Sequence, residues 1–348
     1  MTDKKGGSMK RIKIAMFDSK GYDREYFEKT NSAEKFGFDI HYFTPHLTED
    51  TAVLTEGFAA VCVFVNDVVT ADVASILEKN NIKLLALRSA GYNNVDLKAL
   101  HERIHVVRVP AYSPNAVAEH AVALMMALNR KTHKAYFRTR DNNFAISGLL
   151  GFDMFGKTVG IIGTGKIGKA LALIMRGFGM NVLAYDVYPD NEFAKENKVE
   201  YVSLETLYHQ SDIISLHCPL TPENVHMINS ESISRMKNGV MIINTGRGKL
   251  INTKDLIEGL KSHNVGSAGL DVYEEEGDFF FEDFSAEPIS DDVLARLMTF
   301  PNVIVTSHQA FFTKEALESI VFTTLENIRL YFEEGRLPNE VCFQCGNR

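Results

Sequence analysis

With 348 residues, 45% of them hydrophobic and 24% charged, the chain is too long for one simple core and too ordinary in composition for a disordered or fibrous protein. A formal net charge of -8 at pH 7 argues against a nucleic-acid or anionic-membrane partner. No apolar run suits a signal peptide or membrane helix and four cysteines make no disulfide framework, so a soluble protein of a reducing cytoplasm is expected.

The first 110 residues alternate apolar runs with helical stretches. IKIAMF (12–17), DIHYF (39–43), AVCVFV (60–65), LLALRS (84–89) and HVVRV (105–109) read as strands, and ADVASILEKN after the third has helical spacing. Such alternation predicts a mostly parallel sheet covered by helices. Pro110 and Pro114 bracket a turn. Behind them NAVAEHAVALMMALNR (115–130) predicts a helix capped by Asn115, apolar over most of its circumference and therefore buried. A second α/β series follows, with strands TVGIIG (158–163), NVLAYD (181–186), DIISLH (212–217), VMIINT (240–245), VGSAGLD (265–271) and NVIVTSH (302–308). The last helix, KEALESIVFTTLENIRLYFEEG, comes after this series, and composition assigns it to neither half.

The sharpest local motif is GTGKIG (163–168), which follows an apolar strand and opens a helical pattern. Gly163 suits a tight turn, Gly165 the close approach of a pyrophosphate, and Gly168 close helix–strand packing, while the helix N-terminus offers free N–H groups to phosphate. Glycine turns are common, so the strand–turn–helix context carries the dinucleotide reading. Asp186, ending the next strand, is placed to accept hydrogen bonds from ribose hydroxyls and to repel a 2′-phosphate, which favours NAD over NADP. An isolated Asp there would read as a turn cap.

Three further polar residues fall at or beyond the carboxyl ends of later strands, where an open α/β sheet binds ligands: Arg247, Glu276 and His308. An arginine can clamp a carboxylate, a histidine can carry a proton near neutral pH, and a glutamate can hold that histidine protonated. Singly, each also has a plain structural reading: a surface ion pair, a solvated acidic loop (EEEGD), a histidine bonded only to backbone.

GTGKIG with Asp186, NTGRG (244–248), DVYEEE (271–276) and SHQAF (307–311) resemble the D-specific 2-hydroxyacid dehydrogenase family. LRSAGYNNVDL (87–97), VPAYSPNAVAEHA (109–121), SLHCPLTPEN (215–224) and FFFED (279–283) extend the resemblance over nearly the whole chain, toward the fermentative D-lactate dehydrogenases in particular. The resemblance implies an α/β protein of two Rossmann-like parallel-sheet domains with an interdomain active-site cleft. Residues 1–110 plus 309–348 would form a discontinuous substrate domain, and 111–308 the NAD-binding domain. His308 would be the acid/base, Glu276 its partner and Arg247 the substrate-binding, polarising cation. Gly165, Lys166, Ile167, Asp186, Cys218, Pro219, Asn224, Thr245 and Asp271 correspond to positions that contact NAD. The Ala90 and Gly91 backbone matches the loop that receives the substrate carboxylate, and Tyr112 matches an aromatic residue bordering the substrate. Gly246 stands where the family often has Ala or Ser; it loosens the backbone beside Arg247 and removes no functional atom.

The implied activity is reversible, NADH-dependent reduction of pyruvate to D-lactate by a homo-oligomer, a dimer or tetramer, with neither nucleic acid nor membrane as partner. A bulkier 2-keto acid is the alternative substrate, with Tyr112 and the Phe311–Phe312 pair shaping the pocket. An NAD(H)-sensing binding protein is the alternative of another class, disfavoured by the intact Arg247, Glu276 and His308. Cys342 and Cys345 form a terminal CxxC with no second pair to complete a structural zinc site. Phe279, Phe280 and Phe281 read as an interface cluster, and KTHKAYFRTRDNNF (131–144) as an interdomain or subunit surface.

Overall fold

The computed structural model describes residues 11–275 and 280–344. They fall into two compact units, one formed by the chain up to Ser113 together with the segment from Thr313, the other by Pro114–Phe312. Glu276, Phe279 and Cys345 lie outside the described residues. No described helix is long and apolar enough to cross a membrane.

The first unit is built on β1 (Lys13–Met16), β2 (Asp39–Tyr42), β3 (Ala60–Val63), β4 (Leu84–Leu87) and β5 (His105–Val107). They form one parallel sheet in the order β2-β1-β3-β4-β5, with Ile14 beside Ala60 and Ala60 beside Leu84. Every residue of β3 and β4 is buried, so these strands are continuous apolar runs without alternation, as a sheet covered on both faces requires. One face packs against Val73, Ala74 and Leu77 of the helix Ala71–Lys79. The other receives Val321, Leu325 and Ile328 of the helix Lys314–Arg329, which join Ile14, Met16 and Leu84 in one cluster. The last long helix thus completes the first sheet, and it ends in a π-helical turn, Leu330–Glu334.

The second unit contains β6 (Thr158–Ile162), β7 (Asn181–Tyr185), β8 (Val199–Tyr201), β9 (Ile213–Leu216), β10 (Val240–Asn244), β11 (Val265–Leu270) and β12 (Val303–Val305). All are parallel, in the order β12-β11-β10-β9-β6-β7-β8. The order reverses between β6 and β9, so the loops leaving these strands flank the crevice of a doubly wound sheet. In both units the strands stop one to three residues short of the apolar runs read from the sequence, because those last residues bend into the strand-end loops.

One detail differs from the sequence reading. The helix expected from Asn115 begins at Pro114, whose missing N–H suits the first helical turn, and Asn115 lies inside it with an exposed side chain rather than as its cap. Phe280 is buried against Tyr273 and Leu294.

On the helix Pro114–Arg130, Ala118, Ala121 and Met125 join Leu171, Ala172 and Met175 of the helix Lys166–Gly177 in one apolar cluster under β6. Leu171 is completely buried there. Leu171→Ala is therefore expected to lower unfolding stability by about 2–5 kcal/mol, read from urea denaturation; a loss below about 1 kcal/mol would show that this seam collapses around the deletion.

Candidate functional site

The chain leaves β6 through Gly163 at φ +94°, where a Cβ would lie 2.4 Å from the Cys218 amide nitrogen; no other residue fits this turn. A Cβ on Gly168 would lie 2.0 Å from the Gly163 carbonyl oxygen, so the helix Lys166–Gly177 packs directly on the turn. A Cβ on Gly165 would meet nothing within 4 Å. Gly165 is the N-cap of that helix and has no capping side chain, so the N–H groups of its first turn remain available to an anionic ligand.

Asp186 follows β7 and braces this loop. Thr164 donates to Asp186 Oδ2 from its N–H and its hydroxyl at 2.6 and 3.0 Å, and Tyr188 N–H donates to Oδ1 at 2.9 Å. Three of roughly four acceptor directions are thereby used, leaving about one for a ribose hydroxyl. The turn cap and the ribose acceptor are compatible in one side chain. The bracing extends from the Thr164 hydroxyl to the Tyr201 hydroxyl at 2.7 Å, then to Asp190, which pairs with Lys169. Thr164 and Tyr201 escaped the sequence reading, Tyr201 because β8 is only three residues long.

Across the switch point, the loop after β9 carries His217, Cys218, Pro219 and Asn224. The Asn224 side chain accepts from Thr221 N–H and donates to Pro219 O, both at 2.8 Å, which folds the loop back on itself. Burial pushes the Cys218 thiol up to about 11, so it stays protonated and unreactive at neutral pH. Burial pushes His217 down to about 4, leaving a neutral imidazole bonded to Ser215 at 2.8 Å.

β10 ends at Asn244, whose side chain accepts from Gly246 N–H at 3.0 Å and donates to Arg247 O at 2.9 Å, shaping the turn that presents Arg247. The half-buried Arg247 guanidinium donates to Gly246 O at 2.7 Å and makes no ion pair among the described residues. Thr245 Oγ1 is buried and has no hydrogen-bond partner among the described residues.

Asp271, one strand over, organises the segment bearing His308. Its Oδ1 accepts from the Thr306 hydroxyl at 2.6 Å and Gln309 N–H at 2.9 Å, and its Oδ2 accepts from Ala310 N–H at 2.8 Å. Its backbone carbonyl accepts from His308 N–H at 2.7 Å. His120, on the helix Pro114–Arg130, approaches Thr306 Oγ1 at 3.1 Å and Asp271 Oδ1 at 3.3 Å. Burial alone would raise the Asp271 pKa, but the bonds from His120, Thr306 and Ala310 outweigh it and hold the carboxyl below its usual range. His308 itself adopts φ +51°, with the Phe281 ring centroid 6.0 Å from its own. Arg247 and His308 thus occupy the same edge of the sheet, on loops two inter-strand steps apart, or roughly 10 Å between strand axes. His120 and Thr306 were assigned no role from the sequence, because a polar side chain that braces a turn leaves no periodic signal.

Phe311 is buried, edge-on to Phe312 at 5.9 Å. In the first unit, Ala90 and Gly91 follow β4 and are partly exposed, and Tyr112 is half-buried after β5.

A family model, described as the D-isomer specific 2-hydroxyacid dehydrogenase NAD binding domain, matches residues 122–310. D-lactate dehydrogenase of Escherichia coli strain K12 is 54% identical over 331 residues, 95% of this chain and 100% of the relative. The chain belongs to the D-isomer specific 2-hydroxyacid dehydrogenase family. The solved apo structure of D-lactate dehydrogenase from Escherichia coli superposes with a TM-score of 0.87 at 52% identity, covering 95% of this chain and 100% of that one. A structure described as the pyruvate reductase of Chlamydomonas reinhardtii gives a TM-score of 0.87 at 43% identity, covering 92% and 96%. The family's cofactor is NAD, and the second unit fits it: open space over Gly165, and a buried, unpartnered Thr245 hydroxyl at the strand end.

Asp271→Asn is expected to lower stability at pH 7 by about 1–3 kcal/mol and to reduce turnover by displacing His308. Because the folded carboxyl titrates below its unfolded value, its contribution is complete above about pH 4 and is lost as pH falls through the folded pKa. The stability gap between wild type and variant, measured by urea denaturation, should therefore narrow toward pH 3; a constant gap would contradict a charged Asp271.

Proposed function

We propose that the protein is an NAD-dependent D-lactate dehydrogenase, catalysing reversible reduction of pyruvate. The observation that carries the reading is the placement of Arg247 and the Asp271-braced His308 at the carboxyl edge of the sheet whose switch point holds the glycine loop. When bound, NADH supplies the hydride that reduces C2 of the keto acid. His308, as imidazolium, holds the proton delivered to the C2 oxygen, and receives one back in the oxidative direction. Arg247 donates to the keto oxygen, and that interaction strengthens as negative charge develops there. Glu276, outside the described residues, is assigned as the partner that favours protonated His308. His217, held neutral by burial, does not compete as the acid.

On this reading the glycine loop, Asp186, the 218–224 loop and Thr245 receive the cofactor. The first unit is the substrate domain, its Ala90–Gly91 backbone receives the carboxylate, and Tyr112 and Phe311 bound the side chain of the keto acid. The full-length likeness to D-lactate dehydrogenase supports pyruvate over larger keto acids. The compartment implied is the cytoplasm, where NADH and pyruvate meet.

The test is the initial rate of NADH oxidation with pyruvate and with larger 2-keto acids, followed by chiral analysis of the product. Fast turnover to D-lactate is expected; preference for a branched or aromatic keto acid would move the substrate, and no turnover with any would remove the enzyme reading. His308→Gln should lower kcat by about 10²–10⁴-fold while NADH binding, followed by fluorescence, stays intact.

The proposal extends to a homo-oligomer, a dimer or tetramer. The helix Thr132–Arg140 buries none of its residues, and Phe144, Ile146, Leu150 and Phe155 beyond it are 74%, 84%, 89% and 79% exposed. An apolar surface of this kind calls for a protein partner, and a second copy is the simplest. Sedimentation should give a dimer or larger species for the wild type and a monomer for Phe144→Asp/Leu150→Asp; a monomeric wild type would refute it.

A further inference from the structure

We propose that Arg108 is a positioning residue for the keto acid, fixing and polarising the Ala90–Gly91 peptide. The inference rests on the reading that this backbone receives the substrate carboxylate. Arg108 follows β5, and its Nη1 donates to Ala90 O at 2.8 Å. No peptide bond among the described residues is cis, so the Ala90 carbonyl and the Gly91 N–H point in opposite directions across one rigid plane. Anchoring the oxygen therefore aims the N–H. A charge-assisted bond to that oxygen also draws electron density from the nitrogen, making Gly91 N–H a better donor to an anion.

The surroundings fix both partners. Ser89 Oγ donates to Gly91 O at 2.8 Å, and Val109 N–H donates to Ser89 O at 3.1 Å, so the peptides flanking the anchored one are held as well. Arg108 is tied down at its own backbone: its N–H donates to Asn339 O at 3.1 Å, and its carbonyl accepts from Asn327 Nδ2 at 3.0 Å. Asn327 is buried on the helix Lys314–Arg329, and its Oδ1 accepts from Asn339 Nδ2 at 2.8 Å. The guanidinium carbon lies 5.3 Å from the Tyr92 ring centroid, a cation–π contact with the same loop. No carboxylate among the described residues pairs with Arg108, so its charge is directed to a backbone carbonyl and an aromatic face of the 89–92 loop.

The experiment compares Arg108→Met and Arg108→Lys with wild type in steady-state kinetics. Arg108→Met should raise the KM for pyruvate and the inhibition constant of the carboxylate oxamate by about tenfold or more, with the KM for NADH changed less than about twofold. Arg108→Lys, which keeps a charged donor, should recover part of the loss. The preference for pyruvate over its neutral methyl ester should shrink in Arg108→Met, a change that a merely structural arginine would not produce. A pyruvate KM within about twofold of wild type, or an equal rise in both KM values without rescue by lysine, overturns the proposal. If the wild type itself fails to prefer pyruvate over the ester, the carboxylate-loop reading falls and takes this inference with it. If the wild type discriminates and Arg108→Met discriminates equally, only the role of Arg108 is lost.

Discussion

Asp271 accepts hydrogen bonds from Thr306, Gln309 and Ala310 through its carboxylate, and from His308 through its carbonyl. Four contacts to one residue impose a single path on the chain between β12 and Phe312. That path includes a left-handed histidine, a conformation that costs on the order of 1–3 kcal/mol and persists only where its surroundings over-determine it. The direction in which the His308 side chain leaves the backbone is therefore set by the fold. The same carboxylate engages His120, so the helix Pro114–Arg130 is bound into the arrangement. The conformation of the turn that bears His308 and the stability of the second unit rest on one set of bonds.

The parallel sheet supplies the stage for that anchor. Since every strand of the second unit points the same way, every strand-end loop emerges at one edge, and residues far apart in sequence meet there without any long loop. The glycine turn after β6 abuts the backbone after β9, Arg247 follows β10, and Asp271 follows β11. Burial sorts the polar groups along this edge. It keeps Cys218 a thiol and His217 neutral.

Much of this architecture was legible in the amino-acid order because covered parallel strands must be apolar on both faces, as β3 and β4 are. The glycine motif was legible because its spacing reflects steric contacts that only hydrogen side chains relieve. What stayed hidden was of another kind. β8 has only one buried residue in three, too little for a hydrophobic pattern. Thr164, Thr306 and His120 act through a few hydrogen bonds to residues distant in sequence, and such bonds impose no periodicity. Asn115 has the right chemistry for a cap, but the adjacent proline already supplies a helix start. Resemblance relates Asp271 to the cofactor, whereas its bracing of the His308 turn depends on the three-dimensional meeting of β11 and β12.

The interrupted first unit has a consequence for how the chain is made. Its sheet is finished before residue 113, yet the helix that covers one face begins at Lys314. At about 5–20 residues per second, a ribosome takes roughly 10–40 s to make the ~200 residues between them. Through that interval the face bearing Ile14, Met16 and Leu84 has Phe27 of the helix Gly21–Ala33 but lacks Val321, Leu325 and Ile328, while the contiguous second unit can form as it emerges. The first unit therefore cannot be complete until the whole of the second has been synthesised.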